Sequence, residues 1–429
     1  MLLRLPNPAA RLAVLALAFA LAATLTFFSV RSARATHQAE LGTRAGYEAA
    51  TSLEPANPEN WYLSGRYWQY AFDDPDASLA ISNFRHALSL DPGYADAWLD
   101  LGTVYEYEGN FSAARDAYLQ ARKAYPTSGA VAWRYGNFLL RQGEVQPAFA
   151  EIRRAVYADP KRSAEAFSRC WRVDPNIESI LDNVIPPERA AYLDVIRELA
   201  AVDQLPATLM VWHRLVSLHP HMSPADVIPF DDFLIQKGRF DDARRVWQDA
   251  FHLSDVATGD PPGSVLWDGG FESNVRGGGF AWAFPASAPG VQVTLDRRQK
   301  HTGSQSLRLF FDGKRNVNYD GVCTNAEVQP DTTYRFIAWV RTQALTSDEG
   351  IRFRLFSFPD SSAPAYTDSQ DSRGTQPWTR VEMPWSSRKD VHRARVCILR
   401  NSSRSLDARI QGIAWIDDVS LVPVGNTNP

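Results

Sequence analysis

Arg352 and Arg354 alternate with Ile351, Phe353 and Leu355, and Arg393 and Arg395 alternate with Ala394, Val396 and Ile398. In an extended strand, alternation puts each pair of arginines on one face. If the two strands share a sheet, four guanidinium groups lie together. Such a face suits an acidic polysaccharide, because a guanidinium pairs bidentately with a carboxylate. The other reading is a solvated face of mixed charge. Catalytic spacings are missing: there is no G-x-S-x-G, H-E-x-x-H or P-loop. His213, His219 and His221 fall near one helix end without an acid that spacing can pair with them. Asp73/Asp74 and Asp231/Asp232 read as turn and helix-start residues. The chain is therefore read as not an enzyme. Three cysteines, Cys170, Cys323 and Cys397, make neither a disulfide framework nor a zinc spacing. Cys323 and Cys397 share the β-rich half and read as buried thiols, with a disulfide the alternative in an oxidising compartment.

The elements that carry these residues follow from periodicity. Ala114, Tyr118, Ala121 and Pro126 recur 34 residues later as Ala148, Ile152, Ala155 and Pro160, and 34 residues earlier as Ala80, Phe84, Ala87 and Pro92. Small residues let two antiparallel helices approach, large ones fill the gap, and proline ends the second helix. The beat predicts full helix pairs over 58–94, 95–128 and 129–162, a shortened pair over 163–188, and weaker ones over 189–222 and 224–257. Residues 35–55 read as one helix.

Leu12 to Val30 is nineteen residues without a charge, flanked by Arg4 and Arg11 before and Arg31 and Arg34 after. As a helix it spans about 28 Å, near the hydrocarbon thickness of a bilayer. It reads as an uncleaved membrane anchor with the body outside the cytoplasm. A cleaved signal peptide and a cytoplasmic body are the alternatives. A net charge of −4 gives no support to a nucleic-acid partner.

Beyond the linker-like SDVATGDPPGS at 254–264 the period changes to two. Ser306–Phe310, Tyr334–Val340, Ile351–Phe356 and Ala394–Leu399 all alternate between Gly-, Pro-, Asp- and Ser-rich breaks. That pattern predicts an antiparallel β-sandwich.

The first half resembles the tetratricopeptide repeat family over about 200 residues. The resemblance implies a superhelix whose concave groove is lined by the first helix of each pair. In this register the groove shows Tyr62, Arg66 and Tyr70, then Glu106 and Tyr107, then Trp133, Asn137 and Arg141. Trp133 stands one place after the family's usual Trp position, which Ala132 occupies, so its indole turns from the core toward the groove. The alternative is that these aromatics pack against the neighbouring repeat.

The second half resembles carbohydrate-binding modules with a galactose-binding-like jelly roll. The matching motifs are WDGGFE at 267–272, HTGSQSLRL at 301–309, the strand from Pro330 to Arg341, and WIDDVSL at 415–421. The resemblance implies a structural calcium tying the first and last strands, with Glu272 and Asp417 at the ligand positions. Asp417 shares strand parity with Val419 and Leu421 and is expected inside; Asp418 is expected outside. A buried carboxylate satisfied by N–H groups is the alternative. Trp282, Trp339 and Trp378 fall where this family places core tryptophans, leaving Tyr319 as the freer aromatic for a glycan face.

The expected architecture is multidomain. A transmembrane anchor (1–34) precedes an all-α solenoid (35–257), a linker (258–264), an all-β jelly-roll sandwich (265–424) and a tail (425–429). The expected role is an envelope scaffold on the periplasmic side of the cytoplasmic membrane. Its groove takes a protein partner and its sandwich takes a glycan or envelope surface, in exopolysaccharide or surface-glycan assembly. A pure protein–protein adaptor and an accessory subunit of a glycan-processing enzyme are the alternatives.

Overall fold

The computed structural model describes residues 8–72, 75–284, 288–359, 364–406 and 408–424. Asp73, Asp74 and the expected tail lie outside the described residues. The chain divides into two compact units, Met1–Pro186 and Pro187–Pro429.

In the first unit, α1 (Pro8–Glu40) is long and apolar enough to cross a membrane, and its apolar window is wholly unburied. It does not stop at the end of the apolar run. It continues to Glu40, breaks at Gly42 with φ +65°, and hands over to α2 (Arg44–Leu53), whose N-cap Thr43 accepts the Gly46 N–H. The single helix expected over 35–55 is thus two, because a left-handed glycine followed by an N-cap threonine ends one and starts the next. Ala35 and Ala39 of α1 are buried and the two helices pack together.

Three regular helix pairs follow: α3 (Pro58–Tyr70) with α4 (Ala77–Leu90), α5 (Ala95–Tyr107) with α6 (Phe111–Ala124), and α7 (Gly129–Arg141) with α8 (Val145–Ala158). Within each pair one glycine meets one large side chain. A Cβ on Gly65 would lie 2.7 Å from Phe84, on Gly102 3.1 Å from Tyr118, and on Gly136 2.7 Å from Ile152. At Gly65 and Gly136 that is closer than real Cβ atoms come, and at Gly102 it is tighter than most Cβ contacts, so glycine sets the interhelical distance. The Trp61 and Trp98 indoles donate to the carbonyls of Pro55 and Pro92, tying the first two pairs to their preceding turns. The unit closes with the shorter α9 (Ser163–Val173) and α10 (Ile177–Asn183).

The second unit opens with α11 (Arg189–Ala201), α12 (Leu205–Ser217), α13 (Ile228–Gln236) and α14 (Phe240–His252). Among the described residues, nine strands follow in two antiparallel sheets. One has the order β1 (Val291–Asp296), β2 (Ser306–Asp312), β9 (Gln411–Pro423), β4 (Thr333–Leu345), β7 (Gly374–Ser386). The other has the order β3 (Tyr319–Glu327), β8 (Val391–Arg400), β5 (Arg352–Pro359), β6 (Ala365–Asp368). This is a jelly-roll sandwich whose core is shared by inward residues of both sheets, among them Leu309, Phe336, Phe353, Val396 and Ile416.

Strand register settles the cysteines. Cys323 of β3 stands opposite Cys397 of β8, with Cα atoms 4.1 Å apart, and the two are joined by a disulfide. The two-thiol reading is therefore corrected. The pairing depends on the register of strands 74 residues apart, which local spacing does not carry. Cys170 is free and buried.

Candidate functional site

The groove helices α3, α5, α7 and α9 place a charged ladder whose hub is Asp100, 5% exposed. Its carboxylate accepts from Tyr62 Oη at 3.0 Å and from Arg134 at 2.7 Å, with the Arg66 guanidinium 3.8 Å away. Arg134 also donates to Thr103. Burial, then the Asp100 charge, drives the Tyr62 phenol well above its usual pKa. About two turns on, Arg141 grips Glu106 bidentately at 2.5 and 2.9 Å, and Tyr118 donates to the same carboxylate. Burial pushes the Tyr118 phenol up to about 12. Next, Arg169 donates to Asn137 Oδ1, and the guanidiniums of Arg162 and Arg169 lie 5.1 and 5.2 Å from the centre of the half-buried Trp133 ring. Trp133 is thus held by two cations. Tyr70 and Tyr107 are exposed and line a cleft of about 500 Å³ with Trp68 and Thr103.

The strands carrying the four arginines do share a sheet. On the outer face of the four-stranded sheet, Arg395 stands between Asn325 and Phe356, and Phe356 stands beside Tyr366. Arg393 stands beside Glu327, with its guanidinium 4.1 Å from the Phe358 ring. The four guanidiniums are not equivalent. Arg352 pairs with Glu349, and Arg354 chelates Asp368 at 2.6 and 2.7 Å while stacking over Tyr366 at 4.1 Å. Arg393 and Arg395 have no carboxylate partner among the described residues. Burial, then the charge of Arg395, lowers the pKa of Arg393. Tyr366 is 58% exposed.

Tyr319 does not belong to this surface. It is 3% exposed in the sandwich core, opposite the fully buried Arg400, and burial drives its pKa up. The tryptophans also redistribute. Trp282 is core, as expected. Trp339 and Trp378 are not core; they sit half-buried around His301, which stacks on Trp339 at 3.9 Å and meets Trp378 edge-on at 5.7 Å. Ala338 and Val340 take the inward positions on β4, so Trp339 between them faces out.

Asp417 and Asp418 sit at a β-bulge. Ile337 pairs with Ser420 but Trp339 pairs with Asp417, and Asp418 has φ +47°. Asp417 is fully buried. Its Oδ2 accepts the His301 and Thr302 N–H groups at 2.7 and 3.3 Å, and its Oδ1 accepts the Asp418 N–H. Burial pushes its pKa to about 7. Asp418 does not simply point away: it holds His301 Nδ1 and Thr302 Oγ1 at 2.6 Å each. Glu272 takes the Ser304 N–H at 2.8 Å and the Ser304 hydroxyl. All three carboxylates therefore clamp the turn at 301–305. Their oxygens accept N–H and O–H groups, the arrangement of a buried carboxylate satisfied by hydrogen bonds. Among the described residues no group of three or more His, Cys, Asp or Glu is placed to hold a metal ion.

A family model for the tetratricopeptide repeat matches residues 99–163. Residues 99–163 thus match a tetratricopeptide repeat. Over 154 residues the chain is 28% identical to the general transcriptional corepressor ssn6 of Schizosaccharomyces pombe, covering 31% of this chain and 14% of that protein. The chain thus spans about one-seventh of that relative's length. Among solved structures, a tetratricopeptide protein with an unusual peptide-binding site, YrrB, matches at 16% identity and TM-score 0.28, covering 40% of this chain and 91% of that one. A family 22 carbohydrate-binding module of Clostridium thermocellum Xyn10B matches at 18% and 0.27, covering 34% and 88%. A xylan-binding domain of the same family matches at 15% and 0.28, covering 39% and 99%.

The tetratricopeptide repeats also explain what sequence reasoning missed in the groove. Asp100 and Arg134 lie outside the expected groove set, yet they are 34 residues apart and bonded, and Glu106 and Arg141 are 35 apart. Opposite charges one repeat apart on groove helices were the available signal.

Proposed function

We propose that this chain is a non-catalytic scaffold of the cell envelope. α1 anchors it, the groove of the tetratricopeptide repeats binds a protein segment, and the sandwich binds an acidic polysaccharide. The observation that carries the glycan half is the outer face of the four-stranded sheet. Among the described residues, Arg393 and Arg395 stand there without carboxylate partners, beside Phe356, Phe358 and the exposed Tyr366. Aromatic faces stack on sugar C–H surfaces, and unpaired guanidiniums take carboxylates bidentately. Arg352 and Arg354, already neutralised by Glu349 and Asp368, frame this patch and contribute less charge to it. The groove half is supported by the exposed Tyr70 and Tyr107 and by Trp133 on its two arginines. The Cys323–Cys397 disulfide supports a body outside the cytoplasm, where such bonds persist.

The test is retention of the detergent-solubilised full chain on immobilised polygalacturonate and alginate, with neutral xylan as control. Retention on the acidic polymers is expected, to fall with salt and to be lost in the Arg393→Ala/Arg395→Ala double variant. Equal retention of that variant rejects the arginine face as the site.

A further inference from the structure

A cleft of about 390 Å³ lies in the second unit between α14 and the start of the sandwich. Its volume falls within the ~300–1,000 Å³ typical of small-molecule sites. Trp247, Trp267 and Phe280 supply its apolar walls; the two indoles meet edge to face at 5.1 Å and Trp247 is only 5% exposed. Both indole N–H groups are buried without an acceptor among the described residues. The polar lining includes Gln248, exposed on α14, and the Arg244–Glu327 ion pair at 2.8 Å.

These groups select a ligand class. Arg244 and Glu327 neutralise each other, and the second carboxylate of the lining, Asp260, is engaged by the Asp268 and Gly269 N–H groups, so the lining presents no unpartnered charge to a charged ligand. The aromatic walls favour C–H surface, and the amide, the ion pair and the indole edges offer donors and acceptors side by side. A compact ligand with an apolar face and a ring of hydroxyls answers all of these. A lipid tail would leave the polar groups unpaired, at a cost for each. Glu327 is also the cross-strand neighbour of Arg393, so the cleft adjoins the arginine face. We propose that this cleft binds an uncharged pyranose unit, as the neutral residue or terminus of a glycan that the arginine face holds by its acidic residues. The link to that glycan rests on the function proposed above; the pyranose site itself does not.

The test is ligand-observed saturation-transfer NMR on the full chain in detergent, with glucose, galactose, mannose, xylose and N-acetylglucosamine as probes at millimolar concentration. Transfer to at least one sugar is expected. Trp267→Ala should abolish it, and Gln248→Ala should weaken it about three- to tenfold, the loss of one hydrogen bond. Gln248 is exposed on a helix, so its alanine variant folds even if Trp267→Ala does not. Transfer to none of the five sugars overturns the proposal, and so does an affinity untouched by Gln248→Ala. The two readings fail separately: polymer retention with no sugar transfer sinks only this cleft, and sugar transfer with no acidic-polymer retention sinks only the arginine face.

Discussion

Asp100 shows how much one carboxylate can organise. It joins Tyr62, Arg66 and Arg134 across three successive groove helices. Asp100→Ala would leave a phenol and two cations without their common partner. We expect a loss of about 2–3 kcal/mol by urea unfolding, below the ~3–5 kcal/mol of fully buried pairs because both arginines are partly exposed. A loss within ±0.5 kcal/mol would place the ladder among surface pairs of no consequence. Trp133 belongs to the same scale. A core tryptophan replaced by alanine costs ~3–5 kcal/mol, but this ring is half-buried between Arg162 and Arg169. Trp133→Ala should cost less than that while weakening capture of a crosslinked groove partner. A full core-sized loss with unchanged capture would make it structural.

Among elements, β3 and β8 are tied covalently and β9 is tied to the 301–305 turn by carboxylates. Removing the disulfide in Cys323→Ala/Cys397→Ala should lower sandwich stability by about 2–4 kcal/mol, since the bond closes a long loop. A non-reducing peptide map should recover the linked pair from protein made in the periplasm. The clamp makes a different prediction. With Glu272, Asp417 and Asp418 already served by donors, the melting temperature should not move when chelator replaces calcium. A chelator-induced fall, abolished by Asp417→Ala, would instead support the expected calcium.

For the molecule as a whole, buried carboxyls set the pH response of the second unit. Burial raises Asp417 to about 7 and Asp268 to about 6, and burial with the Asp232 charge raises Asp231 well above the carboxylate range. An unfolded Asp titrates near ~3.9. The folded chain therefore holds protons that the unfolded chain releases. The associated stability is complete below about pH 4 and is lost as pH rises through 6 to 7. The melting temperature of this unit should fall between pH 5 and 8, and Asp417→Asn should flatten the profile. A profile that rises over that range would contradict the raised values. Topology is tested at the same scale. A C-terminal reporter active only in the cytoplasm should be silent if α1 holds the body outside.

The 34-residue beat was enough to place the helix pairs, because each contact of a glycine with a large side chain is made within one repeat and leaves its mark at short range. The alternating runs were enough to predict a sandwich for the same reason: strand period is local. Four particulars were decided only by tertiary structure. Cys323 meets Cys397 through the register of distant strands. Arg352 and Arg354 are neutralised by acids from the 349 turn and β6, whereas Arg393 and Arg395 are left free of such partners. Tyr319 is drawn into the core opposite Arg400. A single bulge at Asp418 shifts the parity of β9, so that both Asp417 and Asp418 reach the 301–305 turn. In each case the deciding contact joins segments dozens of residues apart. A one-residue slip in register turns a side chain from one face of a sheet to the other, and no local pattern records that slip.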